Sequence, residues 1–246
     1  MGRIAVVTSG KGGAGKSTLA AGLGLALSDA GASVLLVDGD AGLRSLDLML
    51  GVGQDIVFDL SDIFAGNCEP VRAVYPSGYN PNLALLPAPV SLEGLCSPRD
   101  LRRLVKGFSR YYDFILIDCP AGTGRGFETA VGAADNALVV TTPDPVCARD
   151  AAVVGDLLAA RGVTARLVIN RLRPRLVMRG KLPDIDEIID TAGIRLIGVV
   201  PEDDAIPFAA AAGDRLPAAC PAARCLRNIA SRLCGDPVPL APLEKM

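Results

Sequence analysis

Residues 9–18 read SGKGGAGKST, and this stretch decides the fold. Gly10 to Ser17 fit the pattern G-x-x-x-x-G-K-[ST], which is typical of a phosphate-binding loop. An apolar run, RIAVVTS (3–9), precedes the loop, and a helical pattern follows it. A glycine-rich turn with accidental spacing would not need that strand and that helix. The stretch therefore predicts a strand, a phosphate loop and a helix in succession.

Each part of the loop has a predicted chemical task. The glycines let backbone N–H groups converge on phosphate oxygens, and the helix that begins near Lys16 adds the positive end of its dipole. Lys16 is expected to hold the β- and γ-phosphates, Ser17 to ligate Mg²⁺ and Thr18 to contact the α-phosphate. The predicted nucleotide-binding residues of the loop are Gly10, Gly12, Gly13, Ala14, Gly15, Lys16, Ser17 and Thr18. Lys11 fits none of these tasks, and plain surface charge is one interpretation of it.

Short β-type runs alternate with helical patterns along the chain. Most of the runs are apolar on both faces, as strands between two helical layers must be. They are RIAVVTS (3–9), SVLLVD (33–38), LALLPA (83–88), DFILID (113–118), ALVVTT (137–142), ARLVIN (165–170) and RLIGVV (195–200). The alternation predicts an α/β fold, a doubly wound and mostly parallel sheet of about seven or eight strands with helices on both faces.

The helix boundaries and the domain limits follow from local signals. Ser97 and Asp100 form a capping pair with Pro98 at the first helical position, so a helix is expected to begin there. No repeat or linker interrupts the pattern before about residue 235. We expect a single domain over residues 1–235 and a short extended tail over residues 236–246, which contains three prolines.

Composition excludes several classes of function. The 246 residues include no histidine, so imidazole catalysis and histidine-bound metals are impossible. The net charge of −2 argues against a generally basic nucleic-acid binder. The seven cysteines form no C-x-x-C pair, and no signal peptide or membrane-spanning run is evident, so we expect a cytoplasmic protein with reduced thiols.

Acidic residues follow two of the predicted strands. Asp38 and Asp40 lie in LLVDGDAG (35–42), at and just after the end of the second predicted strand. Asp118 lies in YYDFILIDCPAG (111–122), at the end of the strand DFILID. Carboxylates at the carboxyl ends of strands face the ligand crevice of such sheets. Asp118 is expected to hold Mg²⁺ through water, since this ion keeps much of its hydration shell. For Asp38 and Asp40 an ordinary turn remains the alternative.

The segment KGGAGKST resembles the deviant phosphate loop of the MinD/ParA family of ATPases. In that family the extra lysine, Lys11 here, crosses a dimer interface to the partner's nucleotide. The resemblance therefore implies an ATP-bound homodimer with Mg²⁺. It also implies that Asp40 orients or activates the attacking water and that Asp38 supports Asp40 or the coordination shell of the metal. Pro120 to Gly122 would form the switch segment that senses the γ-phosphate.

The resemblance extends to the nucleotide base. Asn170, in VINRLRPRLVMRGK, matches the residue that reads adenine in the family, and its amide can both donate to and accept from a base edge. Pro201, Glu202 and Asp203, in GVVPEDDAI, lie where relatives border the base. A plain loop remains the alternative for these three residues.

Several further segments resemble the division-site branch of the family, the MinD proteins. They are DAGLRSLDLMLG, TTPDPVCARDA, RGKLPDIDEIID and LIGVVPEDDAI. The resemblance implies slow ATP hydrolysis and a role in septum placement with MinC-like, MinE-like or other polar regulators as partners. Ser45 replaces a usual Asn, and TGRG (123–126) follows PAG where those relatives have Ile then Glu, so the dimer face and partner binding stay open.

Three other classes of function remain open. A ParA-type or flagellar-number-type positioning ATPase is one, and the basic cluster Arg171, Arg173, Arg175, Arg179 and Lys181 could meet DNA phosphates. We favour a solvated basic loop and do not expect DNA as a partner. An iron–sulfur or metal-trafficking ATPase would use cysteines such as Cys96 and Cys119, and a phosphotransferase would need an acceptor lid that the sequence does not show.

MinD proteins usually end in a short basic amphipathic helix that inserts into lipid. The helix predicted from about Pro221 to Leu233 has small apolar residues, as a helix packed on the domain would. Only six residues follow Val238 to Leu240, which resembles the segment before the lipid-binding tail in relatives. We therefore expect no direct membrane binding without a partner, and recruitment to the membrane only through one.

Overall fold

The computed structural model describes residues 1–41, 44–52, 56–89, 96–212 and 214–245. The described strands are β1 (Arg3–Thr8), β2 (Val34–Asp38), β3 (Tyr75–Pro76), β4 (Leu83–Leu86), β5 (Phe114–Asp118), β6 (Asn136–Thr141), β7 (Thr164–Leu172) and β8 (Leu196–Pro201). The described helices are α1 (Lys16–Asp29), α2 (Leu46–Met49), α3 (Leu60–Ala65), α4 (Pro98–Phe108), α5 (Arg125–Ala133), α6 (Pro145–Ala159), α7 (Pro174–Val177), α8 (Ile185–Ala192), α9 (Ala205–Ala212) and α10 (Pro221–Cys234), with 3₁₀ turns at Pro70–Ala73 and Leu243–Lys245.

The strands form one sheet in the order β3-β4-β2-β5-β1-β6-β7-β8. Neighbouring strands are parallel throughout except for β3, which pairs antiparallel with β4. The predicted doubly wound sheet is confirmed. The sequence did not predict β3, because a two-residue edge strand that contains Pro76 carries almost no periodic signal.

Two apolar layers cover the sheet, one on each face. In β1, Ile4 and Val6 pack toward the layer that contains α4, α5, α6 and α8, whereas Ala5 and Val7 pack toward the layer that contains α1 and α10. Successive strand residues point to opposite faces, so a strand between two layers must be apolar at every position. This is why the strand runs do not alternate in polarity.

The start of α4 confirms the predicted cap. The Ser97 hydroxyl accepts a hydrogen bond from the backbone N–H of Asp100 at 3.2 Å and donates one to the Asp100 carboxylate at 2.6 Å. Pro98 occupies the first turn, where a missing N–H costs nothing.

Helix α10 packs on the domain, as its small apolar residues predicted. Ala222 and Ile229 are fully buried against the layer that contains α1. Arg232, near its end, donates hydrogen bonds to the carbonyls of Ile197 at 2.9 Å, Val238 at 2.8 Å and Pro239 at 2.7 Å. These bonds attach the last segment to α10 and β8. None of the helices in the described ranges is both long enough and apolar enough to cross a membrane.

Candidate phosphate and metal site

The phosphate loop and the carboxylates Asp38 and Asp118 lie at the carboxyl ends of three adjacent central strands. The phosphate loop follows β1, which lies between β5 and β6, and β2 is the next neighbour of β5. Asp38 of β2 and Asp118 of β5 are in register, and Val7 of β1 is in register with Asp118. The loop and both carboxylates therefore share one end of the sheet, where ligands bind in open parallel sheets.

The loop leaves the beginning of α1 open to an anion. Gly13 and Gly15 have φ of 80° and 90°, in the left-handed region that favours glycine. Gly15 caps α1 without any side-chain hydrogen bond, and the first turn of α1 contains no acidic residue. Among the described side chains, none competes with a phosphate for the N–H groups of that turn.

The two lysines of the loop differ in exposure. Lys16 is only 7% exposed, whereas Lys11, near the start of the loop, is exposed. Ser17 and Thr18 are half-buried at the start of α1. Lys16 therefore lies where a bound phosphate would be held, and Lys11 lies where another molecule could reach it.

Two buried carboxylates face each other beside the loop. Burial raises the pKa of Asp118 to about 7, with the Asp38 charge adding to the effect and the Ser17 hydroxyl and Lys16 opposing it. Burial likewise raises the pKa of Asp38 to about 6, and the neighbouring charge of Asp40 adds to it. Two like charges on adjacent strands are costly unless a cation neutralises them.

The donor set fits a magnesium ion. Both Asp118 oxygens are buried and have no hydrogen-bond partner among the described residues, although the Ser17 hydroxyl lies near them. Buried polar atoms without a partner need an explanation, and a cation supplies one. Across the described part of the chain, no three or more His, Cys, Asp or Glu side chains form a metal cage. The site therefore suits an ion that keeps several waters and binds phosphate, as Mg²⁺ does.

The backbone between Asp38 and Asp40 fits closely against β5. The N–H of Gly39 donates to the Asp118 carbonyl at 2.9 Å, and a Cβ at Gly39 would lie 2.5 Å from that oxygen. The N–H of Asp40 donates to Asp38 Oδ1 at 3.0 Å. These contacts hold the half-buried Asp40 at the rim of the site.

Asn170 reaches the phosphate loop itself. Its side chain is buried, and its Nδ2 donates a hydrogen bond to the carbonyl of Ala14 at 2.8 Å. A Cβ at Gly15 would lie 2.4 Å from that Nδ2. The next residue, Arg171, has a φ of 56°, and the register with β8 shifts between Ile169 and Leu172. This irregularity lets the strand end turn Asn170 toward the loop.

The other residues predicted to border the base have protein partners. Pro201 of the edge strand β8 pairs with Leu172 of β7, and Glu202 forms an ion pair with Arg173. The Asp203 carboxylate accepts from the N–H groups of Ala205 at 3.0 Å and of Ala222, the latter at 3.1 Å. Asp203 thus caps two helices beside the site, and a contact of these residues with a base stays a prediction.

Sequence reasoning missed two acidic residues that lie beside the start of the phosphate loop. Asp144 caps α6, and its backbone hydrogen bonds with Cys147 and then Val146 lower its pKa, with a smaller contribution from the Lys11 charge. Asp150, also on α6, packs against Gly10, where an added Cβ would lie 2.5 Å from the Asp150 Cβ. The dipeptide Asp144-Pro145 is a signal for the start of a helix, and it could have identified the cap of α6 from the sequence.

Comparison with known families and proteins agrees with this geometry. Residues 5–216 match the model of the CobQ/CobB/MinD/ParA nucleotide binding domain. The chain is 40% identical over 252 residues to the septum site-determining protein MinD of Bacillus subtilis (strain 168), covering 100% of this chain and 94% of that protein.

Two solved structures are similar over nearly the whole chain. The MinC:MinD cell division protein complex of Aquifex aeolicus gives a TM-score of 0.90 at 34% identity, covering 98% of this chain and 99% of that chain. The septum site-determining protein MinD of Pyrococcus horikoshii OT3, complexed with Mg-ADP, gives a TM-score of 0.86 at 32% identity. The match covers 95% of this chain and 96% of that chain.

Proposed function

Since the chain belongs to the MinD branch of the CobQ/CobB/MinD/ParA nucleotide-binding family, we propose that it is a magnesium-dependent ATPase that acts in septum placement as a nucleotide-controlled dimer. The observation that carries the proposal is the pairing of a buried Lys16 with an exposed Lys11 on one loop. A monomeric phosphate-binding site needs only the first of these. The second makes sense when it serves another subunit.

Within one subunit, the phosphate loop binds and orients the nucleotide. Its backbone N–H groups and Lys16 contact the phosphates, while Ser17 and Asp118 hold Mg²⁺ and Asp38 supports that shell. When bound, the ion neutralises negative charge on the phosphates. Asn170 and the segment Pro201 to Asp203 border the base in this proposal. Relatives support this cofactor choice, since the Pyrococcus horikoshii protein is complexed with Mg-ADP.

Hydrolysis requires an oriented water and charge stabilisation. The Asp40 carboxylate accepts a hydrogen bond from the water and aligns it with the terminal phosphorus, because its backbone is fixed by Asp38 and by the close contact of Gly39 with β5. Lys11 enters the site of the partner subunit and places positive charge where negative charge develops on the transferred group. Pro120 to Gly122, which follow Asp118, form the segment that responds to the terminal phosphate.

The experiment is the mass in solution, measured by light scattering with ATP, with ADP and without nucleotide. The parent chain and Asp40→Ala are expected to be dimeric with ATP and monomeric with ADP, and the Asp40→Ala dimer to persist because hydrolysis is blocked. Lys16→Ala, which loses nucleotide binding, is the matched control and stays monomeric. A monomer for the parent and Asp40→Ala in ATP would overturn the proposal.

A MinC-like protein is the proposed partner. The Aquifex aeolicus neighbour was solved as a MinC:MinD complex, and this chain matches it over 98% of its length. A MinE-like regulator is proposed with it. Curated relatives that are 38–40% identical to this chain are MinD proteins, so a DNA-partitioning or metal-trafficking role is not favoured.

We propose that helix α10 packs in the core and does not insert into a membrane. Its apolar residues are buried against α1 and β8, so lipid insertion of this helix would require part of the core to open. We propose that α10 contributes no anchor and that membrane recruitment, where it occurs, uses a partner. Co-sedimentation of the chain with anionic liposomes in ATP and Mg²⁺ tests this, and pelleting well above the ADP control would contradict it.

A further inference from the structure

A groove far from the phosphate loop is bounded by α3, the 3₁₀ turn Pro70–Ala73 and α4. Its volume is about 800 Å³. Its apolar wall consists of Ile63, Phe64, Val71, Leu104, Phe108 and Tyr111. The proposed nucleotide-binding and metal-binding residues contribute none of this lining.

Parts of this wall are unusually exposed for an apolar surface. Val71 is 66% exposed and Tyr111 is 76% exposed, and they lie in the same groove. Phe64 and Leu104 in the same wall are only half-buried, although they pack against the core. A single exposed apolar residue needs no explanation, but a contiguous concave patch is typical of a binding surface.

Basic residues outnumber acidic ones on this groove and the adjoining exposed face of α4. Four exposed basic residues of α4 and the segment after it form no ion pair within the described ranges; they are Arg99, Arg103, Lys106 and Arg110. Arg103 and Arg110 line the groove directly. Two acidic residues, Glu69 and Asp100, also line it, and the hydrogen bond from the neutral Ser97 hydroxyl leaves the charge of Asp100 in place. The groove and the adjoining face of α4 thus have four basic residues beside these two acidic ones, a local excess of positive charge on a chain whose net charge is −2.

We propose that this groove binds an amphipathic helical segment of a partner protein that has an acidic polar face. Helix α4 has 11 residues and is about 16 Å long, which matches about three turns of a docked helix. The apolar wall would accept residues at helical spacing, and the arginines would pair with carboxylates on the rim. The surface is concave, so it suits a helix better than a flat bilayer.

Docking there leaves the nucleotide site free. The end of α4 leads through Tyr111 and Tyr112 into the amino end of β5, whereas the phosphate loop and Asp118 lie at the carboxyl ends of the strands. The proposal does not depend on ATP hydrolysis or dimerisation. Peptide binding should be equal in ATP and in ADP.

The test uses two fluorescent 15-residue helical peptides with the same leucines on one face. One peptide has glutamates on the other face, and the second has lysines in their place. Anisotropy titrations should show that the acidic peptide binds the parent chain and that the lysine peptide binds at least about tenfold more weakly. Arg103→Glu combined with Arg110→Glu, and separately Tyr111→Ser, should each weaken the acidic peptide by about tenfold.

Arg195→Glu is the matched control, since Arg195 is exposed beside β8 at the opposite edge of the sheet, and it should bind like the parent. All the altered side chains are exposed, and thermal unfolding verifies that the variants fold. The proposal is overturned if the acidic peptide does not bind the parent, if both peptides bind equally, or if the double variant binds normally. Association with anionic liposomes that the double variant loses, without peptide binding, would assign the surface to lipid and also overturn it.

Discussion

Asn170 should control the phosphate loop as well as the base. Its side-chain Nδ2 donates to the Ala14 carbonyl at 2.8 Å, and that amide has a second N–H and an oxygen left for a base. A residue that only reads adenine would leave the loop unchanged when replaced. The geometry here predicts that Asn170→Ala loosens the loop even toward a ligand that has no base.

The magnitude follows from the burial of both partners. Ala14 is 4% exposed and Asn170 is 6% exposed, so water cannot easily replace the lost donor. Leaving a buried carbonyl unpaired costs about 1–3 kcal/mol. If the bound state needs the ordered loop, the affinity for phosphate should fall by roughly 5- to 150-fold. Asn170→Asp should be at least as damaging, because it places an anionic oxygen against the carbonyl oxygen.

The assay is calorimetric titration with ADP and with inorganic tripolyphosphate, both with Mg²⁺. Asn170→Ala should weaken both ligands. Glu202→Gln is the control: its ion pair with Arg173 lies outside the phosphate loop, so tripolyphosphate affinity should not change. If Asn170→Ala weakens ADP binding but leaves the tripolyphosphate affinity unchanged, Asn170 does not position the loop and contacts only the base.

Three further predictions follow from single contacts. Asp118→Asn should stabilise the metal-free chain at pH 8 by about 1–3 kcal/mol while abolishing hydrolysis. Folding raises the pKa of Asp118 from 3.8 to about 7, so the parent loses up to about 4 kcal/mol of stability as the pH rises from about 4 to 7. The buried amide of the variant has no charge to desolvate, and it recovers part of that loss. Urea unfolding from pH 4 to 8 should show a flatter profile for the variant, and parallel profiles would exclude the buried charge. Arg232→Ala should destabilise the fold by about 2 kcal/mol in urea, because three carbonyls lose their donor, whereas Arg227→Ala on the exposed side of α10 should cost little, and equal effects would contradict this reading. Gly15→Ala should abolish binding of ADP, since the left-handed φ of 90° and a Cβ that would lie 2.4 Å from Asn170 Nδ2 both oppose it, and retained ADP affinity would show that the loop adapts.

Local signals in the sequence predicted most of the fold. The strand positions follow from runs that are apolar on both faces, and the start of α4 follows from Ser97, Pro98 and Asp100. The phosphate loop and the paired strand-end carboxylates were also visible, because each depends on residues close together in sequence. The short β3 was not, since Tyr75 and Pro76 pair only because β4 is there to receive them.

Long-range contacts of the site could not be predicted. The hydrogen bond between Asn170 and Ala14 joins residues 156 positions apart, and it depends on the left-handed conformation of Arg171, which sequence rules assign to glycine. The packing of Gly10 on Asp150 and the ion pair of Arg173 with Glu202 likewise require the assembled sheet. Such contacts come from tertiary packing, which periodicity does not encode.

The central claim is that Lys11 serves the site of the other subunit, and a mixing experiment tests it most directly. Lys11→Ala keeps its own Asp40 but lacks the donated lysine, and Asp40→Ala donates Lys11 but cannot orient water, so each alone should be inactive. Mixed in equal amounts without nucleotide and then given ATP and Mg²⁺, they form heterodimers with one complete site, and random pairing predicts roughly a quarter of the parental ATPase rate. A mixture as inactive as its components, although the heterodimer forms, would contradict the account, as would full activity of Lys11→Ala alone.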